Sequence, residues 1–483
     1  MKILLLRLPI NSACKIASVG GMVSSKFYFE WLVRYPPLGL LYYGALLKQK
    51  GHTVKLLDGE LMGYTINHIT ALAKQFNPDI IFSSVNIYNP QFEFETLKVL
   101  KDTLRCHIIA RGHFPRLYPE ETIVNKQIDF ALTGKGFHSV IDITDAIEKK
   151  VPFENVKGII YTDNGNIIKT ANEEAFNFDT IPFPARELID NSVCTTALSK
   201  YDTFTTMTAS IGCPYSCTYC VDRYIPYQTR SIENVIAEIE ECINKLSIKE
   251  IMFLDSTFTI DRNWCMHFCN EIIKRKLTFA WAIRTRADLV DDELLATFAK
   301  SGCISIHYGI ESGNEQILQN LHRNMSLSQI KTAIELTIQK GMEVLGFFMI
   351  GNEGETTETV HDTMRFAQSL PLHFAQFNVV FPMPPSDTYE RVKKKFGVDI
   401  WLEAYKGKNI PPDSCKPPNS TLSLKGLDYF ANKAYLMFYL RPKQLWRLLT
   451  FKYAPYIAIR IFKILLIHIK QYFKRLSITP SSK

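Results

Sequence analysis

No Asp or Glu occurs from residue 441 to residue 483, a stretch that holds ten of the chain's 56 Lys and Arg. With a net charge of +8, the remainder is therefore close to neutral. That excludes the broad basic face a nucleic-acid binder presents, and no nucleic-acid partner is expected. Short-period repeats and low-complexity tracts are missing as well, which sets aside solenoids and biased linkers. The opening run MKILLLRLPI is too short an apolar segment for a secretory leader. Cysteine is sparse and odd in number, eleven in 483 residues and unevenly spaced, so a disulfide framework is not expected and a reducing cytoplasm is. What is present is an ordinary globular composition, 46% hydrophobic, and length enough for two or three domains at ~100–200 residues each.

Apolar runs alternate with helical patterns over the first 140 residues. MKILLLRLP, HTVKLLDGE, DIIFSSVN, HIIARG and IDFALTGKG read as strands, separated by helices such as PLGLLYYGALLKQKG and ITALAKQFNP. This rhythm predicts βαβ units in a doubly wound parallel sheet over 1–140, whose ligands sit beyond the carboxyl ends of the strands. Residues 141–198 form a linker containing a helix, a hairpin (GIIYTDNGNIIKT) and the Pro-punctuated IPFPAREL. The β/α rhythm resumes over 199–425 with about six strands, which fits a partial β/α barrel with its chemistry at the strands' C-terminal ends. Residues 426–483 make a helical, basic tail. The fold class expected is α/β, a doubly wound parallel sheet followed by a partial β/α barrel, with a helical C-terminal tail.

Residues 213–220 read CPYSCTYC, three cysteines in eight positions. Zinc would need a fourth ligand, usually as a second close pair, and none is spaced for it. A [4Fe–4S] cube takes thiolates at its irons, and three protein ligands leave one iron open for a substrate or cofactor. The CxxxCxxC spacing, with Tyr219 before the last cysteine and a β/α series following, resembles the signature of the radical S-adenosylmethionine (SAM) superfamily. The resemblance implies that Cys213, Cys217 and Cys220 hold the cluster and that the open iron chelates the amino and carboxylate groups of SAM. Reduction then yields methionine and a 5′-deoxyadenosyl radical.

Three further stretches, FLDSTFT (253–259), IHYGIESG (306–313) and GFFMIGNEGET (346–356), resemble the SAM-contacting segments of that family. Ser256 replaces a second acid, and Asn352-Glu353 replaces Leu-Pro. Carried over, Asp255, Glu311, Arg323, Gly346 and Gly351 are SAM-binding residues. Glu311 and Arg323 would pair with the charged ends of SAM, or form a surface ion pair. The two glycines would admit the adenine, or serve a strand end and a turn.

Residues 35–60, 78–86, 107–121 and 128–137 resemble, in order, the landmarks of the cobalamin-binding domain that precedes the barrel in one radical-SAM class. The resemblance covers about residues 1–400. It implies a cobalamin cofactor beside Ser83, Ser84, Asn86, Gly112, His113, Gly134 and Gly136, with helix capping the other use for the two serines and Asn86. Two landmarks depart from the pattern: Arg111 stands in a Gly-Gly-x-His loop, and Lys135 and Phe137 in a Gly-Glu-Gly-Glu loop. The D-x-H-x-x-G motif of a lower histidine ligand is absent. CMHFC at 265–269 puts Cys265 and Cys269 one helical turn apart with His267 on another face, which reads as packing.

In the tail, Arg460, Lys463, Lys470 and Lys474 share one arc of a helix whose remaining face is Ile, Leu and Phe. Charges costing ~2.5–3.5 kcal/mol each at mid-bilayer argue against a span, and an interfacial helix on the cytoplasmic membrane face is expected instead. The class mechanism implied is cobalamin-dependent C-methylation of an unactivated carbon in a small-molecule or lipid-like substrate. Electrons would come from a flavodoxin or ferredoxin. Radical cyclisation, oxidation or rearrangement without methyl transfer, and a non-catalytic iron–sulfur protein on the membrane, stand as the alternatives.

Overall fold

The structure is a computed structural model that describes residues 1–9, 33–196 and 198–450. The first sheet has seven strands: β1 (Lys2–Arg7), β2 (Thr53–Asp58), β3 (Ile80–Ser84), β4 (His107–Arg111), β5 (Phe130–Leu132), β6 (Ile159–Asp163) and β7 (Asn166–Lys169). Their order is β2-β1-β3-β4-β5-β6-β7, parallel through β5 and antiparallel from β5 onward. Helices α1 (Leu38–Gln49), α2 (Ile66–Phe76), α3 (Pro90–Thr103) and α4 (Ser139–Lys149) are the crossovers. Side chains alternate between two cores, Ile3, Leu5, Ile80 and Phe82 against α1 and α4, and Leu4, Leu6, Ile81 and Ile108 on the other face. The hairpin expected within the linker is instead paired onto the edge of this sheet. Tyr161 and Ile160 oppose Phe130 and Ala131, which bury themselves by gaining that neighbour, so the sheet runs past residue 140.

The second sheet contains β8 (Phe204–Met207), β9 (Glu250–Phe253), β10 (Ala280–Thr285), β11 (Cys303–Glu311), β12 (Glu343–Ile350) and β13 (Phe374–Val379), parallel and in sequence order, as in an open barrel. Helices α5 (Ile232–Leu246), α6 (Arg262–Lys274), α7 (Asp292–Lys300), α8 (Leu327–Gln339) and α9 (Thr357–Ser369) cover its outer face. Trp281, Ile283, Ile306, Tyr308, Phe348 and Phe377 pack there, so the alternate residues of each strand point into the lumen. Cys265 and Cys269 belong to this core and His267 is exposed.

After β13 come α10 (Asp387–Phe396), α11 (Ile400–Tyr405), α12 (Leu424–Tyr439) and α13 (Pro442–Thr450). α12 covers the free edge of β13: Tyr435 accepts from the Phe377 N–H at 3.2 Å, and Tyr439 both accepts from and donates to Ala375. The segment 381–405 returns to the first domain, where Phe381, Tyr389, Ile400 and Trp401 complete the core begun by Leu4, Ile81 and Ile108. The predicted basic helix lies outside the described residues. Among those described, no helix is long and apolar enough to cross a membrane.

Candidate active site

β8 ends in a loop whose two ends are stitched by antiparallel pairing of Ser210–Ile211 with Gln228–Thr229. Gly212 opens the loop at φ +72°, and a Cβ there would lie 2.2 Å from the Ile225 carbonyl oxygen. The loop presents all three cysteines of the triplet, Cys217 buried, Cys213 and Cys220 half-buried, none in a disulfide. Cys213 Sγ sits 3.7 Å from Thr257 Oγ1. Two guanidinium groups approach Cys217 Sγ, Arg323 at 3.7 Å and Arg286 at 4.0 Å. Such neighbours place positive charge where an anionic cluster would sit. Burial pushes the Cys220 thiol up to about 12, and an iron bound there would displace the proton outright. The donor set fits a cluster: three sulfurs on one pinned loop, buried positive charge beside them, and an Arg323 Nε with no partner.

Glu311 and Arg323, at the mouth of the barrel, are a buried pair 3.6 Å apart and not a surface bridge. Arg323 also donates to the Gly309 carbonyl at 2.6 Å and to Tyr219 at 3.2 Å. Glu311 adopts φ +67° at the end of its strand, a conformation uncommon for a residue with a side chain. Gly309 makes room, since a Cβ there would fall 2.6 Å from Glu311 Oε1. Burial raises the Glu311 carboxyl above its usual range and Arg323 opposes that shift.

The other expected SAM contacts have protein neighbours of their own. Asp255 is buried and accepts from the Ala209 N–H at 3.2 Å and the Ser210 hydroxyl at 2.5 Å, which anchors the base of the cysteine loop. Gly346 faces the helices, where a Cβ would meet Ile310 and Leu372 at 2.8 and 2.9 Å. Gly351 turns the chain at φ +94° against Leu427, and its N–H serves the buried Glu355. The alternative reading of both glycines, strand and turn, matches these positions.

At the carboxyl edge of the first sheet, Ser84 Oγ accepts from Arg111 at 3.2 Å, and the Arg111 guanidinium lies 4.8 Å from the centre of the Tyr43 ring. Tyr43 in turn donates to the Lys135 carbonyl at 2.7 Å, so the two altered landmarks meet on one residue. Burial and the mutual repulsion of Arg111, Arg116 and Lys135 lower the affinity of Arg116 and Lys135 for their protons, with Asp222 of the cysteine loop opposing. This edge therefore faces the cluster loop. Ser83 is fully buried with an unpartnered hydroxyl, and His113 is exposed beside Arg116.

The remaining expected corrin contacts have internal employment. Asn86 binds the buried Glu93 and closes a turn onto Tyr88 and Asn89. Gly112 lies against the Val85 carbonyl, where a Cβ would come within 2.5 Å. Glu173, from the segment after the hairpin, takes the N–H groups of Gly136 and His138 at 2.7 Å and would crowd a Cβ on Gly134. The Gly134–Gly136 nest is thus filled by the chain's own carboxylate. Sequence reasoning passed over Arg286, which stacks on Tyr215 at 4.1 Å and touches Cys217. Its one signal was a cation at the end of a barrel strand.

Residues 207–367 match the family described as the radical SAM superfamily. An uncharacterized methyltransferase of Pyrococcus horikoshii is 27% identical over 463 residues, covering 92% of this chain and 94% of that protein. The anaerobic magnesium-protoporphyrin IX monomethyl ester cyclase of Rubrivivax gelatinosus is 24% identical over 75% of this chain and 67% of that one. Among solved structures, the cobalamin-dependent S-adenosylmethionine radical enzyme OxsB, with aqua-cobalamin and S-adenosylmethionine bound, aligns with a TM-score of 0.68 at 18% identity. The alignment takes in 92% of this chain and 66% of OxsB, so this chain spans just under two thirds of that protein. The radical S-adenosylmethionine methyltransferase TsrM of Kitasatospora setae, with cobalamin and a [4Fe–4S] cluster, aligns at 0.65 and 14% identity over 81% of this chain and 78% of that one. These likenesses show a shared two-domain fold.

Proposed function

We propose, from the premise that residues 207–367 are a radical SAM domain, that the chain is a cobalamin-dependent radical SAM C-methyltransferase acting on a small molecule. The observation that carries the reading is the buried Glu311–Arg323 pair set against Cys217, because it joins a cluster ligand to the charges SAM requires. When bound, the cluster supplies the electron that splits SAM to methionine and a 5′-deoxyadenosyl radical, and methylated cobalamin supplies the methyl group. Cys213, Cys217 and Cys220 would hold the cluster. Glu311 would meet the ammonium of SAM, and Arg323 holds Glu311 and Tyr219 in place. Ser84, Arg111, His113 and Lys135 stand where a corrin would meet the first domain, at the carboxyl edge that faces Asp222.

The names of the relatives favour methyl transfer, with cyclisation as the second reading on the strength of the cyclase relatives. Anaerobic reconstitution and reduction with a flavodoxin or ferredoxin, using SAM labelled in its methyl group, decides between them. Labelled product supports the proposal, whereas 5′-deoxyadenosine with unlabelled product supports cyclisation, oxidation or rearrangement. A chain that binds iron and never cleaves SAM would be the non-catalytic protein. Cys213→Ala, Cys217→Ala and Cys220→Ala should each abolish deoxyadenosine formation.

The last described helix exposes Leu445 and Trp446, and the sequence from Arg441 onward carries ten Lys and Arg with no Asp or Glu. Both support a C-terminal region that docks on an anionic membrane surface and a substrate of lipid character. Cosedimentation with phosphatidylglycerol vesicles and not with phosphatidylcholine vesicles is the expected result, lost on removal of residues 451–483.

A further inference from the structure

Below the mouth occupied by Glu311, Arg323 and Arg286, the barrel lumen holds two polar side chains that each carry a buried nitrogen without a partner among the described residues. Arg284 of β10 and His307 of β11 are opposed in register. Their strand neighbours Ile283, Ile306 and Tyr308 pack against the helices, so alternation turns Arg284 and His307 inward together. Arg284 Nε and His307 Nδ1 are both buried without a hydrogen-bond partner. His307 is 6% exposed, and its nearest aromatic neighbour is the Phe347 ring, 6.0 Å between centres and edge-on. Gln376 and Asn378, across the lumen on β13, satisfy each other at 2.9 Å. Among the described residues no carboxylate pairs with Arg284.

Exposure follows the same alternation. Arg284, Phe347, Gln376 and Asn378 are half-buried, whereas Ile283, Phe348 and Phe377 beside them are buried, so the lumen-facing side chains keep more exposure than those under the helices. A guanidinium held in such a place without a counter-charge is costly, and so is an imidazole with a bare nitrogen. Burial and the adjacent Arg284 push the His307 imidazole down to about 3, so it stays neutral and adds one hydrogen bond without a second charge.

We propose that Arg284 and His307 form a subsite for one anionic group, a carboxylate or a phosphate, held by the planar fork of the arginine with the imidazole beside it. The inference rests on the radical SAM reading of this lumen and narrows the substrate to a molecule with an acidic end. That end sits deep, and the carbon to be modified is presented toward the cysteine loop. An arginine suits the task because its two parallel N–H groups match both oxyanions in geometry. SAM carries a carboxylate of its own and is the other source of the same chemistry.

The test uses the full, anaerobically reconstituted chain and two probes, inorganic phosphate and SAM, titrated by calorimetry against the wild type, Arg284→Gln, Arg284→Lys and His307→Leu. Phosphate binding in the millimolar range is expected for the wild type, weakened at least tenfold in Arg284→Gln and several-fold in both His307→Leu and Arg284→Lys, the lysine keeping the charge and losing the fork. Visible absorption of the cluster reports that each variant is folded. Loss of phosphate binding with SAM affinity unchanged assigns the subsite to substrate; a tenfold loss of SAM affinity with phosphate unaffected assigns it to the SAM carboxylate. Equal affinities for both probes in all four proteins overturn the proposal, as does a wild type that binds no phosphate while SAM affinity ignores the substitutions. Failure of the wild type to release 5′-deoxyadenosine on reduction would count against the radical SAM reading alone, because the titrations need no turnover.

Discussion

Glu355 shows how one side chain of a sequence landmark acts on stability before it acts on any cofactor. Its carboxylate accepts from the Gly351 and Asn352 N–H groups in the turn after β12, yet burial dominates and raises its pKa to about 7. The unfolded value is near 4.3, so the native chain holds this proton more tightly than the unfolded chain. Its stabilising contribution is present in full below the unfolded value and is lost as the pH rises to about 7. In urea unfolding of the cofactor-free chain, Glu355→Gln should remove that slope, worth up to roughly 3 kcal/mol between pH 4 and pH 8. At this scale the residues picked out by chemistry and spacing, Cys217, Glu311 and Arg323 among them, are brought together by the fold. At Asn86, Gly134, Gly136 and Gly346 the structure adds neighbours that the sequence did not announce, because family landmarks record where a residue stands and not what lies against it. Glu173 illustrates the limit: a carboxylate 37 residues from Gly136 fills the nest, and no periodicity announces that contact.

Between elements, two devices set the cysteine loop in place. One is the short ribbon at its base. Gly212→Ala would drive a Cβ into the Ile225 and Pro226 carbonyls, so the loop must shift. Iron content and visible absorption after reconstitution should fall several-fold while far-ultraviolet circular dichroism stays that of the wild type. The other is a buried triad. Glu238 of α5 lies 2.6 Å from Arg186 in the linker and 2.5 Å from Arg230 just past the ribbon, all three at most 2% exposed. Burial opposes ionisation of Glu238, but the two guanidinium groups hold its carboxyl below the usual range. Glu238→Ala strands both cations and should cost about 3–5 kcal/mol in denaturant unfolding, whereas removing an exposed pair such as Lys245–Glu241 should cost under about 1 kcal/mol. Elements of this kind were legible from hydrophobic period and turn residues, including the hairpin at Asn164 and Gly165. The sheet that received the hairpin was not, since strand pairing is decided by which buried edge remains unfilled.

For the whole molecule, the sequence reading divided the chain into consecutive blocks, and the fold interleaves them. Trp401 is buried in the first domain's core, donates to the Pro382 carbonyl at 2.8 Å, and packs edge-on against Tyr88 and Phe381. Tyr118 reaches across to Asp399 at 2.9 Å. Trp401→Ala should destabilise the first domain by about 3–5 kcal/mol, seen as an earlier unfolding transition that carries the barrel with it.

The returning segment also governs how the protein can be made. A ribosome that has finished the first two hundred residues has released a sheet with one wall absent, and the missing indole is not translated until the barrel has been synthesised. Tethering that strip, residues 381–405, to the amino-terminal fragment should yield a stable, separately purifiable module, whereas the fragment without it should aggregate.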